Sequence, residues 1–139
     1  MKTPCRIKVT GKHFRDGVWE ETVTEADGTY IEKDDTEYFF YKEGDDAAKS
    51  ETRITVSGNV VCVRRTGAVY SELKYEIGRE NVCPYRTPFG NIDITTVADM
   101  MICEGEGNSR LIKVEYRMIA GPAEGAEYER AALEIRATL

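Results

Sequence analysis

The sequence predicts an all-β fold, a single antiparallel meander barrel of about 8–10 strands. Apolar and polar residues alternate with a period of two along most of the chain, most clearly between Ile112 and Ala120. Short clusters of Gly, Asp, Asn and Ser separate these alternating segments and are typical of tight turns. Together the two patterns predict consecutive strands joined by short connections.

The first half of the chain contains five short alternating segments. Strands are predicted at residues 5–13, 18–25, 29–33, 37–43 and 52–56. The segment Ala26-Asp27-Gly28 predicts a hairpin turn between the second and third strands. The polar residues 44–50 predict a loop, and Ser57-Gly58-Asn59 predicts another turn.

The stretch from Val60 to Ile77 is the longest alternating segment. Its odd positions are mostly apolar, which predicts that this face is buried, and Arg65 is the one charge on it. The stretch is too long for one straight strand, so we expect a bulge or sharp bend at Gly67.

Two prolines interrupt the next segment, residues 82–91. Pro84 and Pro88 cannot donate backbone hydrogen bonds, which predicts a bend between two strands. The bend Thr87-Pro88-Phe89-Gly90 has two interpretations. In the first, it turns the chain and packs Phe89 as a plug; in the second, it forms the rim of a pocket.

The last third of the chain predicts three further strands. Six residues of the next segment share one parity, so one continuous inward face is expected: Ile92, Ile94, Thr96, Ala98, Met100 and Ile102. The strand at residues 112–120 follows a loop at residues 104–109. Residues 126–139 contain good helix formers, but their apolar residues alternate, and we predict a closing strand over the helical alternative.

Closure of the sheet follows from the number of strands. A closed barrel removes the exposed edges that would otherwise promote aggregation, whereas a β-sandwich is the structural alternative. No repeat or linker divides the chain, so residues 1–139 are expected to form one domain.

Composition excludes several classes of function. The 19 Lys and Arg residues against 25 Asp and Glu residues give a net charge of -6, which argues against a nucleic acid or an anionic membrane surface as a partner. The N-terminal residues lack the apolar run of a signal peptide, so a cytoplasmic location is expected. The four cysteines form no C-x-x-C pair, so we predict reduced, mostly buried thiols and neither a metal site nor a cofactor.

Three motifs resemble those of the YwiB-like proteins, a family of uncharacterised bacterial proteins. They are Tyr41-x-Glu43, Arg65-x-Gly67 and Tyr85-x-Thr87-Pro88-Phe89-Gly90, followed by the strand from Ile92 to Val97. The resemblance covers essentially the whole chain, and it implies a calycin-like (lipocalin-like) β-barrel and a cytoplasmic setting. It implies no established activity.

Arg65 provides the candidate functional site. A guanidinium on a buried face needs a charged or hydrogen-bonding partner, and Glu43, on the inward parity of its strand, is the predicted one. The pair either fixes strand register or presents Arg65 to the carboxylate or phosphate of a small ligand. The other predicted site residues are Tyr75, Tyr85, Thr87 and Tyr116.

No motif marks an enzyme. His13 is the only histidine, lies outside any nucleophile motif, and is expected to be a solvated or edge residue. We therefore expect a non-enzymatic protein that binds a small anionic or amphipathic ligand inside the barrel. The alternative is a protein-interaction or homodimer module whose barrel is filled by its own side chains.

Overall fold

Ten antiparallel strands follow one another along the chain in the computed structural model, which describes residues 2–44, 50–120 and 127–139. They are β1 (Lys2–Arg15), β2 (Val18–Lys33), β3 (Thr36–Glu43), β4 (Ser50–Ser57), β5 (Val60–Thr66), β6 (Tyr70–Glu76), β7 (Asn81–Thr87), β8 (Gly90–Glu106), β9 (Ser109–Ala120) and β10 (Glu129–Thr138). The central residues of the predicted loop at 44–50, including Asp45 and Asp46, lie outside the described residues.

The sheet closes on itself as an up-and-down barrel. Each strand pairs with its neighbours in sequence, and β10 pairs with β1 through contacts such as Ile7 with Ala137 and Val9 with Ile135. The prediction of a closed antiparallel meander is confirmed, and the β-sandwich alternative is wrong. The closing segment is a strand and not a helix, because its alternating apolar residues fill the interior between β9 and β1.

Apolar side chains fill the centre of the barrel. Alternation places one face of every strand inward, and bulky side chains from strands on opposite sides of the barrel form one buried cluster. The fully buried members include Phe39, Ile7, Ile54, Ile135, Val61 and Val114. The interior at this level is therefore a packed core.

The predicted hairpin at Ala26-Asp27-Gly28 is wrong, because these residues lie within the continuous strand β2. Gly28 serves a different purpose. A Cβ atom built on Gly28 would clash with the backbone carbonyl oxygen of Phe40 and would lie 2.7 Å from Cδ1 of Ile7. Glycine thus allows β1, β2 and β3 to approach closely in midstrand.

The expected single parity from Ile92 to Ile102 is also wrong beyond Ala98. The β8–β9 register shifts between Ala98 and Met100, which is the signature of a β-bulge. Met101 therefore packs against the core, and Met100 lines a cavity on the outer wall. One inserted residue reverses which side chains face inward.

A turn follows β5 at the predicted position, but the predicted bend at residues 82–91 is wrong over most of its length, because residues 81–87 form the strand β7. β5 ends at Thr66, and Gly67 has a φ of 142°, a backbone conformation that favours glycine. Pro88 and Phe89 connect β7 to β8. Pro84 lies within β7, whose pairing with β6 is limited to Tyr70 with Arg86 and Ser71 with Tyr85.

Alternate connections of a meander lie at the same end of the barrel. We call the end that holds the β3–β4, β5–β6 and β7–β8 connections the mouth, and the opposite end the base. At the base, Arg110 forms an ion pair of 3.5 Å with Glu37, and its guanidinium lies 5.4 Å from the ring centre of Tyr30. These side chains close the lower end of the interior.

The cysteines are all reduced. Cys5 and Cys83 are buried, Cys62 is half-buried, and Cys103 is exposed. The expectation of mostly buried thiols is therefore wrong for Cys103, which lies near the end of β8 where the strand extends toward the solvent-exposed β8–β9 turn. Within the described ranges, no helix is long and apolar enough to span a bilayer.

Candidate functional site

One layer of polar residues lines the inside of the mouth. Cross-strand register pairs Tyr41 with Thr52, Thr52 with Arg65, Arg65 with Ser71, and Ser71 with Tyr85. Residues paired directly across neighbouring antiparallel strands point to the same side of the sheet. We call these five residues, contributed by β3 to β7, the mouth layer.

An apolar floor lies directly beneath the mouth layer. It consists of the residues two positions further into the barrel on β3 to β6, which are also paired in register: Phe39, Ile54, Val63 and Leu73. Phe39 and Ile54 are completely buried. The polar layer is therefore separated from the centre of the barrel by tightly packed side chains.

Burial within the mouth layer varies from one residue to the next. Tyr41, Thr52 and Ser71 are buried, Tyr85 is half-buried, and Arg65 is exposed. The layer thus has a desolvated side on β3 and β4 and a charged residue in contact with water. Such a gradient suits a polar molecule that enters from solvent.

Among the residues that the structure describes, two buried polar atoms near this layer have no hydrogen-bond partner. They are Oγ1 of Thr52, a residue only 2% exposed, and Oε1 of Glu43, which lies on β3 two residues beyond Tyr41. A buried polar atom without a partner costs about 1–3 kcal/mol, and more when it is charged. Both atoms would be stabilised by a bound polar group.

The environment of Tyr41 places both charges close to its hydroxyl. Burial raises the pKa of Tyr41, and the carboxylate of Glu43 raises it further. The Thr52 hydroxyl and the Arg65 guanidinium lie near the Tyr41 hydroxyl and lower its pKa, although no hydrogen bond of normal geometry joins Thr52 to a partner in the described part of the chain. The mouth therefore presents a carboxylate and a guanidinium near one tyrosine hydroxyl.

The predicted pairing of a buried Arg65 with Glu43 is wrong. Arg65 is exposed, and no ion pair between the two residues occurs in the described part of the chain. Arg65 does lie on the inward parity, but β5 ends one residue later. Its long side chain can therefore reach water at the mouth and needs no buried partner.

Tyr75 and Tyr116 belong to the core and not to the mouth. Tyr75 lies four residues below Ser71 on β6 and pairs with Val61, and its ring centre is 4.6 Å from that of Tyr116. Burial raises the pKa of both hydroxyls, and for Tyr75 the rise is large. Of the six residues predicted for the site, these two lie beneath the floor.

Thr87 lies at the rim, where its hydroxyl is used by the turn. It accepts the backbone N–H of Phe89 at 3.1 Å and donates to the carbonyl oxygen of Gly90 at 3.0 Å. Phe89 is 100% exposed, so the prediction that it plugs the barrel is wrong. In a two-residue hairpin turn the side chain projects away from the strands and has nothing to pack against.

Three residues of the mouth layer were missed by the sequence analysis: Tyr41, Thr52 and Ser71. For Thr52 the sequence did contain a signal, because the parity of β4 places it on the same buried face as Ile54 and Val56. Their assembly with Arg65 depends on strand register, which the sequence pattern does not reveal.

His13 also differs from expectation. It is half-buried, and its Nε2 lies 3.3 Å from Sδ of Met118, so it packs against β9 and is only partly solvated. Among the residues that the structure describes, no group of three His, Cys, Asp or Glu side chains is arranged to hold a metal ion.

Comparison with known proteins agrees with the fold. The chain is 27% identical to the uncharacterized β-barrel protein YwiB of Bacillus subtilis over 121 residues, which cover 87% of this chain and 85% of YwiB. The crystal structure of the ywiB protein from Bacillus subtilis superposes with a TM-score of 0.85 at 24% identity, covering 99% of this chain and 92% of that one.

The profile of a domain of unknown function, DUF1934, matches residues 7–130. The matched range contains the mouth layer and extends from within β1 to the start of β10. The closed ten-stranded barrel, the similarity to YwiB along most of both chains and this match lead to one conclusion. The chain belongs to the DUF1934 family of YwiB-like β-barrel proteins.

Proposed function

We propose that the mouth of the barrel binds a small polar molecule that carries a hydrogen-bond donor beside an anionic or hydrogen-bond-accepting group. The observation that supports this best is the pair of unpartnered buried atoms, Oγ1 of Thr52 and Oε1 of Glu43. A donor on the ligand satisfies the carboxylate of Glu43, and an acceptor satisfies the hydroxyl of Thr52.

Arg65 gives the site its preference for anions. The guanidinium lies on the inward parity of β5 next to the buried side of the layer, and its planar fork suits a carboxylate or phosphate. The half-buried Tyr85 and the buried Ser71 complete the wall on β6 and β7. The ligand is therefore held between opposite charges.

The apolar floor limits the size of the ligand. Phe39 and Ile54 are completely buried beneath the mouth layer, and Tyr75 and Tyr116 pack in the centre. A long acyl chain inserted along the barrel axis would have to displace this core. The site thus favours a compact ligand over an elongated amphipathic one.

Binding without catalysis fits these residues best. The nearest general base is the carboxylate of Glu43, and the mouth layer contains no histidine or cysteine beside a hydroxyl nucleophile. We place the protein in the cytoplasm as part of the same proposal, on the grounds of its acidic composition and reduced cysteines.

A homodimer or interaction module is the second candidate. The packed centre of the barrel is consistent with a self-filled interior, and Phe89 and Ile92 form exposed apolar surface at the mouth. A second copy that covers the mouth would bury both side chains and could itself satisfy Glu43 and Thr52.

Native mass spectrometry of the protein as purified from cells separates the two candidates. We expect a bound mass that is lost on denaturation, absent from Thr52→Val and Glu43→Gln, and kept by Thr55→Val, a control that changes the outward face of the same strand. Twice the chain mass without a ligand supports the dimer. A monomer that takes no mass from the small-molecule fraction of a cell lysate contradicts both.

A further inference from the structure

Two arginines lie opposite each other on the outer wall of the barrel. Arg53 of β4 pairs in register with Arg64 of β5, and their side chains point away from the mouth layer because Thr52 and Arg65 occupy the inward positions. Like charges placed directly opposite on neighbouring strands are destabilising. A bound anion would therefore relieve the repulsion between Arg53 and Arg64.

Neither arginine is neutralised by the described chain. Both are half-buried, and the Nε atom of each is buried without a hydrogen-bond partner in the described part of the chain. Neither forms an ion pair with a carboxylate among residues 2–44, 50–120 and 127–139. Two adjacent guanidinium groups thus retain unused donors.

Three carboxylates around the pair have contacts with other groups. Asp27 binds Arg6 at 3.1 Å, Glu51 binds Lys42 at 3.4 Å, and Glu72 accepts the hydroxyl of Tyr70 at 3.0 Å. Each of these contacts draws a negative charge toward a group other than the paired guanidinium groups. Glu72 also lies opposite Arg64 in register, and Asp27, Lys42 and Glu51 line the cavity, so the surroundings of the pair are mixed in charge and the unused donors belong to the two guanidinium groups.

A cavity of about 490 Å³ opens beside the two arginines. It runs over the outer face of β2 to β5, where β2 and β3 stop pairing beyond Gly28 and Tyr41. Its lining includes Thr29, Phe40, Arg53, Arg64 and Thr66. Phe40 stacks on Tyr38, with ring centres 6.2 Å apart, and so provides a fixed apolar surface next to the positive charge.

A third arginine, Arg86, lies near Arg64 on the outer wall of the barrel. The guanidinium groups of Arg64 and Arg86 lie 5.9 Å and 5.7 Å from the ring centre of Tyr70. These cation–π contacts hold Arg64 in position on the side away from Arg53. The pair is therefore partly preorganised for a ligand.

We propose that this outer cavity binds the phosphate group of a small organic phosphate monoester. Two opposed guanidinium groups carry a charge that matches a phosphate dianion better than a single carboxylate, and each fork can donate two hydrogen bonds to phosphate oxygens. The organic part of the ligand packs on Phe40. The two guanidinium groups lie on the outward positions of β4 and β5, whereas Tyr41 and Thr52 of the mouth layer border the same cavity from the inward positions.

Isothermal titration with phenyl phosphate tests the proposal on the whole chain. The wild-type protein should bind phenyl phosphate more tightly than inorganic phosphate, which lacks the ring, and more tightly than benzoate, which lacks the second charge. Binding should weaken about tenfold or more in Arg53→Met and in Arg64→Met, since a hydrogen bond to a charged group contributes about 1.5–3 kcal/mol. Arg64→Lys should weaken it as well, because lysine keeps the charge but loses the fork.

The control is Arg79→Met, which removes an exposed arginine at the base. Thermal unfolding by circular dichroism checks that each variant is folded, and removal of one like charge should not destabilise the barrel. The proposal fails if the wild-type protein does not bind phenyl phosphate. It also fails if both cavity variants bind as well as wild type, or if Arg79→Met weakens binding equally.

Discussion

The rings of Tyr75 and Tyr116 pack against each other at the centre of the barrel, 4.6 Å between centres and inclined by 56°. They come from β6 and β9, which are not neighbours in the sheet, so their contact joins two sides of the barrel. Tilted aromatic pairs of this kind stabilise a core beyond the effect of their buried area.

Truncation of Tyr116 should destabilise the protein strongly. Tyr116→Ala removes a ring that is 7% exposed and leaves a cavity beside Tyr75, so we expect a loss of about 3–5 kcal/mol in the free energy of unfolding. Urea denaturation measures this free energy of unfolding. Phe89→Ala is the control and should change stability by less than about 0.5 kcal/mol, because Phe89 is fully exposed. A large effect at Phe89 would restore the idea of a plug.

Alkaline pH should unfold the barrel through its buried tyrosines. Burial raises the pKa of Tyr75 and of Tyr116 above the ordinary value of 10.0. Above that pH the unfolded chain loses protons that the folded chain keeps, so stability is fully present below pH 10 and is lost as the pH rises further. Urea midpoints measured across this range should fall, and they should fall less for Tyr75→Phe. Equal slopes in the two proteins would contradict the assignment.

Gly28→Ala should cost about 1–3 kcal/mol or more, because the added methyl group meets a backbone carbonyl that cannot move independently of β3. Gly11→Ala, in β1, is the matched control, since no other group lies within 4 Å of the position that its added methyl group would take. We expect Gly11→Ala to be neutral or slightly stabilising. Thermal unfolding of both variants is the measurement, and similar melting temperatures would show that the close approach is not required.

Thr52→Val should stabilise the ligand-free protein by about 1 kcal/mol or more. The substitution keeps the shape of the side chain and removes a buried hydroxyl that has no hydrogen-bond partner. Denaturant unfolding of refolded protein, freed of small molecules, gives the value. Destabilisation instead would mean that the hydroxyl is already satisfied within the barrel, which would remove the main support for a site at the mouth.

Local patterns were sufficient for the strands and their closure. Alternation along residues 126–139 predicted the closing strand despite the helix formers there, because burial of one face outweighs intrinsic propensity. The prediction at Asp27-Gly28 failed because glycine serves both turns and close approaches, and only the neighbouring strand distinguishes them. The parity beyond Ala98 failed because a bulge leaves no reliable signal in the sequence.

Alternation along the chain is enough to specify a meander of strands and to put Arg65 on an inward face near a strand end. Three further features depend on the assembled barrel: the mouth layer forms a single level, Arg65 reaches solvent, and Arg53 opposes Arg64 on the outer wall. The physical reason is that side-chain direction follows from a period of two within each strand, whereas the level of a residue in the barrel follows from the register between strands. Register is set by turns, bulges and closure acting together.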